Sequence, residues 1–147
     1  MIVVIPTIPH TGSMFMVNEI FKDLPEMRNP KRSNHGKIFM HVYPERLPEL
    51  MTLTDYPWIS PLRHPAKVAG SWLARKKDLG YLWSLWDIMM GLPVDHFLPI
   101  DSDTRESALK RIGDYKTDWP VIASLGVTVE SPQVEQKYVD FYAATCY

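Results

Sequence analysis

The stretch that decides the fold is residues 2–21, IVVIPTIPHTGSMFMVNEIF. Ile2, Val3, Val4 and Ile5 are apolar and β-branched without a break. Such a run predicts a strand buried on both faces, as in a parallel sheet. Residues 6–12 carry Pro, Thr and Gly and predict a loop. From Ser13 the pattern becomes helical, with Met16, Ile20 and Phe21 able to share one face and Leu24-Pro25 ending it. A strand, a glycine-containing turn and a helix gather anion-binding groups. The first N–H groups of a helix have no backbone partner, and the positive end of its dipole points at the same spot. Gly12 allows close backbone approach, while Thr11 and Ser13 add hydroxyl donors. Taken alone, Thr11-Gly12-Ser13 reads first as a helix cap. The Walker pattern is absent, with no Lys after Gly12, so an ordinary ATPase or GTPase is not predicted.

Outward from this stretch, residues 26–36 are polar and broken by Pro and Gly, which predicts a surface loop. Residues 37–42 (KIFMHV) predict a second strand, Pro44 opens a short helix, and residues 58–62 predict a third strand bracketed by Pro57 and Pro61. Pro65 suits a helix start, followed by Val68 and Trp72 at helical spacing. Residues 80–92 place Leu82, Leu85, Trp86 and Met89 on one face and predict a core helix. Residues 96–100 predict a short strand, Asp101-Ser102-Asp103 a cap for a helix through Ile112, and residues 119–129 a strand or loop. QVEQKYVDFYAA predicts a closing helix. Strands alternating with helices predict an α/β protein: three layers, α/β/α, around a mainly parallel sheet, in a single domain over residues 1–147.

The composition narrows the classes. At 147 residues with 46% apolar residues, the chain suits one folded domain burying roughly two-thirds of its unfolded surface. A net charge of −1 gives no reason to expect nucleic acid. No stretch is apolar for about 18 residues, so no membrane span is expected. One cysteine, Cys146, permits no intrachain disulfide and suits a reducing, cytoplasmic setting. No His, Cys or carboxylate cluster has metal-ligand spacing, so no metal is expected.

Three segments carry a resemblance. Pro9-His10-Thr11-Gly12-Ser13-Met14-Phe15-Met16 resembles the 5′-phosphosulfate loop of sulfotransferases that use 3′-phosphoadenosine 5′-phosphosulfate (PAPS). That loop runs roughly Pro-Arg/Lys-Ser-Gly-Thr-Thr-Trp-Leu after the first strand. Thr11 takes the Ser place, Gly12 the Gly, Ser13 the first Thr and Phe15 the Trp. His10 stands where the family has Lys or Arg, and Met14 where it has a hydroxyl. The segment Leu62-Arg63-His64-Pro65-Ala66-Lys67-Val68-Ala69-Gly70-Ser71 resembles the family's 3′-phosphate motif, a strand-end Arg with Ser eight residues on; His64 replaces its Asp. A strand-end Arg offers a forked, permanent charge to phosphate. On its own the segment is equally a surface Arg before a Pro-started helix. Phe39-Met40-His41-Val42-Tyr43-Pro44 is similar to the strand-end catalytic His of many members. By itself His41 reads first as a packed, hydrogen-bonded His.

The resemblance covers residues 2 to about 75 and implies a P-loop NTPase-like, sulfotransferase-like fold. It implies transfer of a sulfuryl group from PAPS to a hydroxyl or amine of a small-molecule or carbohydrate acceptor, leaving 3′,5′-ADP. His41 would be the general base. His10, Thr11, Gly12, Ser13, Met14, Phe15, Arg63 and Ser71 would bind PAPS. A protonated His10 would replace part of the missing Lys charge, and Lys37 is a further candidate cation. Trp72 and the aromatics of 81–86 are candidates to stack on adenine. A homo-oligomer is left open. The alternatives are an inactive, sulfotransferase-like binding module, favoured by the departures at His10 and Met14, and a P-loop-like nucleotide or small-molecule kinase.

Overall fold

The structure, a computed structural model, describes residues 1–100 and 134–146. The cap at 101–103, the helix through Ile112 and the segment 119–129 lie outside the described residues. The described chain runs β1 (Ile2–Thr7), α1 (Ser13–Phe15) with a π-helical continuation (Met16–Ile20), and β2 (Gly36–His41). A short helix follows, with 3₁₀ turns Pro44–Arg46 and Met51–Leu53 flanking α2 (Leu47–Leu50). Then come β3 (Ile59–Leu62), α3 (Pro65–Ala74), α4 (Leu79–Gly91), β4 (His96–Pro99) and α5 (Gln136–Cys146). This is an α/β chain with small parallel sheets.

β1 pairs with β2 in parallel from Ile2 opposite Gly36 to Thr7 opposite His41. β3 pairs with β4 in parallel. Between the two ladders there is a single parallel bridge, Val4 opposite Trp58. Backbone parity explains the break. Gly36 and Val42 N–H donate to Met1 and Thr7, so the odd residues of β1 face β2. Val4 N–H donates to Pro57, so the even residues, Pro6 among them, face β3. His96 and Ile100 N–H donate to the Trp58 and Leu62 carbonyls, so Pro61 faces β1. Both sides of the seam therefore present a proline, which has no N–H to give, just beyond the Val4 bridge. The seam lacks donors toward the carboxyl ends of the strands.

Alternation along β1 divides the apolar residues between two clusters. Val3 and Ile5 pack with Phe15, Met16, Val17 and Ile20. Ile2 and Val4 pack with Val68 and Trp72 of α3, Leu82, Leu85, Trp86 and Met89 of α4, and Tyr138 of α5. α5 docks through Trp83 stacked on Tyr138 (4.8 Å between centroids) and through Tyr138 Oη donating to Asp87 Oδ1 at 3.0 Å. The helix from Ser13 stops at Ile20, short of the predicted Leu24-Pro25. The reason is Lys37. Its buried Nζ donates to the Val17 carbonyl at 2.6 Å and the Phe21 carbonyl at 2.7 Å. An ammonium holding the last carbonyls replaces the N–H groups that another turn would supply. Lys37 is thus a helix-ending residue in the interior and not the anion-site cation expected from sequence.

Candidate functional site

The four described strands run the same way, so the segments leaving β1, β2 and β3 meet at one edge. The chain passes from β2 on one side of β1 to β3 on the other. Open parallel sheets bind ligands outside the carboxyl ends at such a switch point. Here it coincides with the proline-broken seam.

The turn after β1 is held from several sides. Thr11 Oγ1 donates to the Ile8 carbonyl at 2.6 Å, so its hydroxyl proton closes the turn and is not offered to an anion as expected. Trp72 Nε1 donates to the Pro9 carbonyl at 3.0 Å and fastens the turn to α3. Gly12 has φ 95°, and a Cβ there would lie 2.7 Å from Ile100 Cγ2. Only glycine combines that backbone with that proximity. Ser13 is buried, and its hydroxyl has no hydrogen-bond partner among the described residues. Met14 points outward at 43% exposure, and Phe15 is packed in the interior, so neither side chain enters the turn.

His10 has φ 69°, a left-handed conformation unusual for a residue with a side chain. Its Nε2 accepts from Lys77 Nζ at 3.0 Å. Burial, then the charges of Lys77, Arg75, His41 and Arg63, lower its pKa from 6.5 to about 4. His10 is therefore neutral near pH 7, against the sequence expectation of a protonated His. Among the described residues, the permanently charged neighbours acting on it, Lys77, Arg75 and Arg63, are all cationic. Arg63 stands at the end of β3, only 5% exposed, close enough to act on His10.

Ser71, one residue before Trp72 on α3, is buried. Its Oγ accepts from Arg75 Nη1 at 2.5 Å, and the same nitrogen reaches the Ser71 carbonyl at 3.1 Å. The Ser71 hydroxyl is left with its own proton to donate. His64, between Arg63 and Pro65, caps α3: its Nδ1 accepts from Ala66 N–H at 3.1 Å. A capping acceptor is also what an Asp there would supply.

His41 ends β2 directly opposite Thr7. Thr7 Oγ1 and His41 Nδ1 lie 2.7 Å apart. In the tautomer that donates from Nδ1, Nε2 carries the lone pair. Burial holds His41 below its ordinary range, hydrogen bonding to Thr7 draws it back up, and Lys77 lowers it again. His41 also lines a polar cleft of about 640 Å³ with Glu26, Arg28, Tyr43, Arg46 and Glu49. An apolar cavity of about 590 Å³, lined by residues such as Met16, Ile20 and Phe97, does not include His41. Neither cavity is lined by residues 10–13 or Arg63.

Two expected stacking residues are unavailable, because Trp72 is 3% exposed and Trp86 is wholly buried. The exposed aromatic is Tyr81, 39% exposed, stacked on Tyr43 at 6.1 Å, with Tyr43 in turn against His41 at 5.4 Å. Lys77 and Arg75 were not singled out from sequence, where Arg75-Lys76-Lys77 reads as a solvated basic run. The available signal was the spacing of Arg75 four residues after Ser71. Among the described residues, no group of three or more His, Cys, Asp or Glu could hold a metal, and no helix is long and apolar enough to cross a membrane. Comparison with protein-family models, curated proteins and solved structures gives no match.

Proposed function

We propose that the chain is a small PAPS-dependent sulfotransferase with the three-layer, P-loop-like architecture of that group. The observation that carries the reading is the convergence of cations on one neutral imidazole. Lys77, Arg75 and Arg63 all act on His10, and among the described residues no carboxylate acts on it. Such a field at strand carboxyl ends favours a multiply charged anion. The turn at 10–13 would take the 5′-phosphosulfate through backbone N–H groups and Ser13. Arg63 and Ser71 would take the 3′-phosphate.

In the reaction the bond between sulfur and the bridging phosphate oxygen breaks, and a bond from the acceptor oxygen to sulfur forms. The acceptor proton passes to His41 Nε2, and the cations hold the negative charge left on the departing 3′,5′-ADP. A base poised neutral at pH 7 suits this role. The cleft beside His41 would seat the small-molecule or carbohydrate acceptor. The single cysteine fits a cytoplasmic setting.

The test is thermal protection by 3′,5′-ADP together with sulfate transfer from PAPS. Millimolar 3′,5′-ADP raises Tm in the wild type and not in Arg63→Ala. His41→Gln keeps the protection and lowers transfer by about 10²-fold or more. Absence of any shift in the wild type refutes the reading. Protection without transfer to any acceptor supports the second reading, a binding module, which the neutral His10 favours.

A further inference from the structure

Lys77 is placed in a way that a solvated surface lysine is not. Its Nζ donates to His10 Nε2 at 3.0 Å and lies 5.3 Å from the centre of the Trp72 ring. The chain is bent to put it there. α3 ends at Ala74, and Lys76 then adopts φ 55°, a left-handed conformation that normally belongs to glycine at this position. Lys77 N–H returns to the Trp72 carbonyl at 3.0 Å, which turns the side chain back over α3 toward the β1 turn. Lys77 is exposed and makes no salt bridge among the described residues. Its charge lowers the pKa of both His10 and His41. Among the described residues its one side-chain hydrogen-bonding partner is a neutral imidazole, leaving two ammonium protons. A cation so oriented, resting on a ring face and with no carboxylate partner among the described residues, is suited to an oxyanion.

We propose that Lys77 is an oxyanion-binding residue of this site, meeting a phosphate- or sulfate-class group beside the turn that carries His10. His10 acts as its positioning residue, holding the ammonium from behind. The assignment rests on the sulfotransferase reading only for the identity of the ligand; in that reading the group is the 5′-phosphosulfate, and Lys77 stabilises the leaving phosphate.

The experiment is calorimetric titration of the full chain with three probes: pyrophosphate, 3′,5′-ADP and adenosine 3′-monophosphate. The proteins are wild type, Lys77→Ala, Lys77→Arg, and Lys31→Ala as a control for loss of one exposed charge. A charge-assisted contact of ordinary strength predicts about tenfold or greater loss of 3′,5′-ADP and pyrophosphate affinity in Lys77→Ala. Lys77→Arg recovers most of it, and Lys31→Ala stays within about twofold. Affinity for adenosine 3′-monophosphate, which lacks the 5′ group, is unchanged by Lys77→Ala. Unaltered Tm confirms that the exposed substitution leaves the fold intact. If Lys77→Ala binds pyrophosphate and 3′,5′-ADP as the wild type does, the assignment is overturned while the sulfotransferase reading stands. If pyrophosphate binds in a Lys77-dependent way but no adenosine compound does, the reading fails and the assignment stands. If the wild type binds none of the probes, both fall.

Discussion

Replacing Gly12 by Ala tests the packing that fixes the turn. Two costs add. The backbone at φ 95° penalises any Cβ by about 1–2 kcal/mol. The Cβ would also stand 2.7 Å from Ile100 Cγ2 and 3.2 Å from Ile100 Cβ and Cγ1, in a place with no flexible chain end to yield. Overpacking of this kind costs about 1–3 kcal/mol. Gly12→Ala is therefore expected to lose roughly 2–5 kcal/mol, a large part of a typical domain's stability. At this chain length that is a fall in Tm of roughly 5–20 °C. Urea denaturation measures it, and a double-mutant cycle separates the parts. In an Ile100→Ala background the two Cγ contacts vanish while the tight Cβ contact and the backbone part remain, so the cost of Gly12→Ala drops by about 1–2 kcal/mol. A loss below about 0.5 kcal/mol, or an equal loss in both backgrounds, refutes the reasoning.

Other consequences are as specific. Lys37→Met removes the donor to the Val17 and Phe21 carbonyls and is expected to cost about 2–4 kcal/mol in urea denaturation; a neutral result rejects its helix-ending role. His10 is held at about 4, below its unfolded value, so its stabilising contribution is complete above pH 6.5 and is lost as pH falls toward 4. Because the ring is only half-buried, solvent screening reduces this to on the order of 1–2 kcal/mol, and His10→Asn, which tolerates the left-handed backbone, should flatten the stability profile across that window. Thr7→Val frees the His41 ring and is expected to lower kcat by about tenfold with KM within about twofold; a change in KM alone contradicts the positioning role.

What the sequence made legible was local. The unbroken β-branched run at 2–5, the shift to helical spacing at Ser13 and the proline before α3 each announce an element within a few residues. Gly12 was legible because a strand-to-helix turn asks for a residue with its freedom. The hidden features depend on partners far along the chain. Lys37 reads as a charged strand residue, and only the fold brings it to carbonyls about one helix upstream. The seam between β1 and β3 needs Pro6 and Pro61 to face each other, which is a matter of parity and not of composition. Thr11 lies in the turn, but its hydroxyl donates to the Ile8 carbonyl three residues back, a bond that the turn's own geometry makes. Lys77 looked like surface because nothing local reveals that Lys76 is left-handed. His10 looked chargeable because its cationic neighbours, Arg75 and Lys77 just after α3 and Arg63 at the end of β3, lie far along the chain.

The most direct test of the central claim is a crystal structure of the protein soaked with 3′,5′-ADP. The account predicts the 5′-phosphate against the turn at residues 10–13 and the 3′-phosphate on Arg63 and Ser71, with the adenosine spanning the carboxyl ends of β1 and β3. A nucleotide bound elsewhere, or none at millimolar concentration, contradicts it.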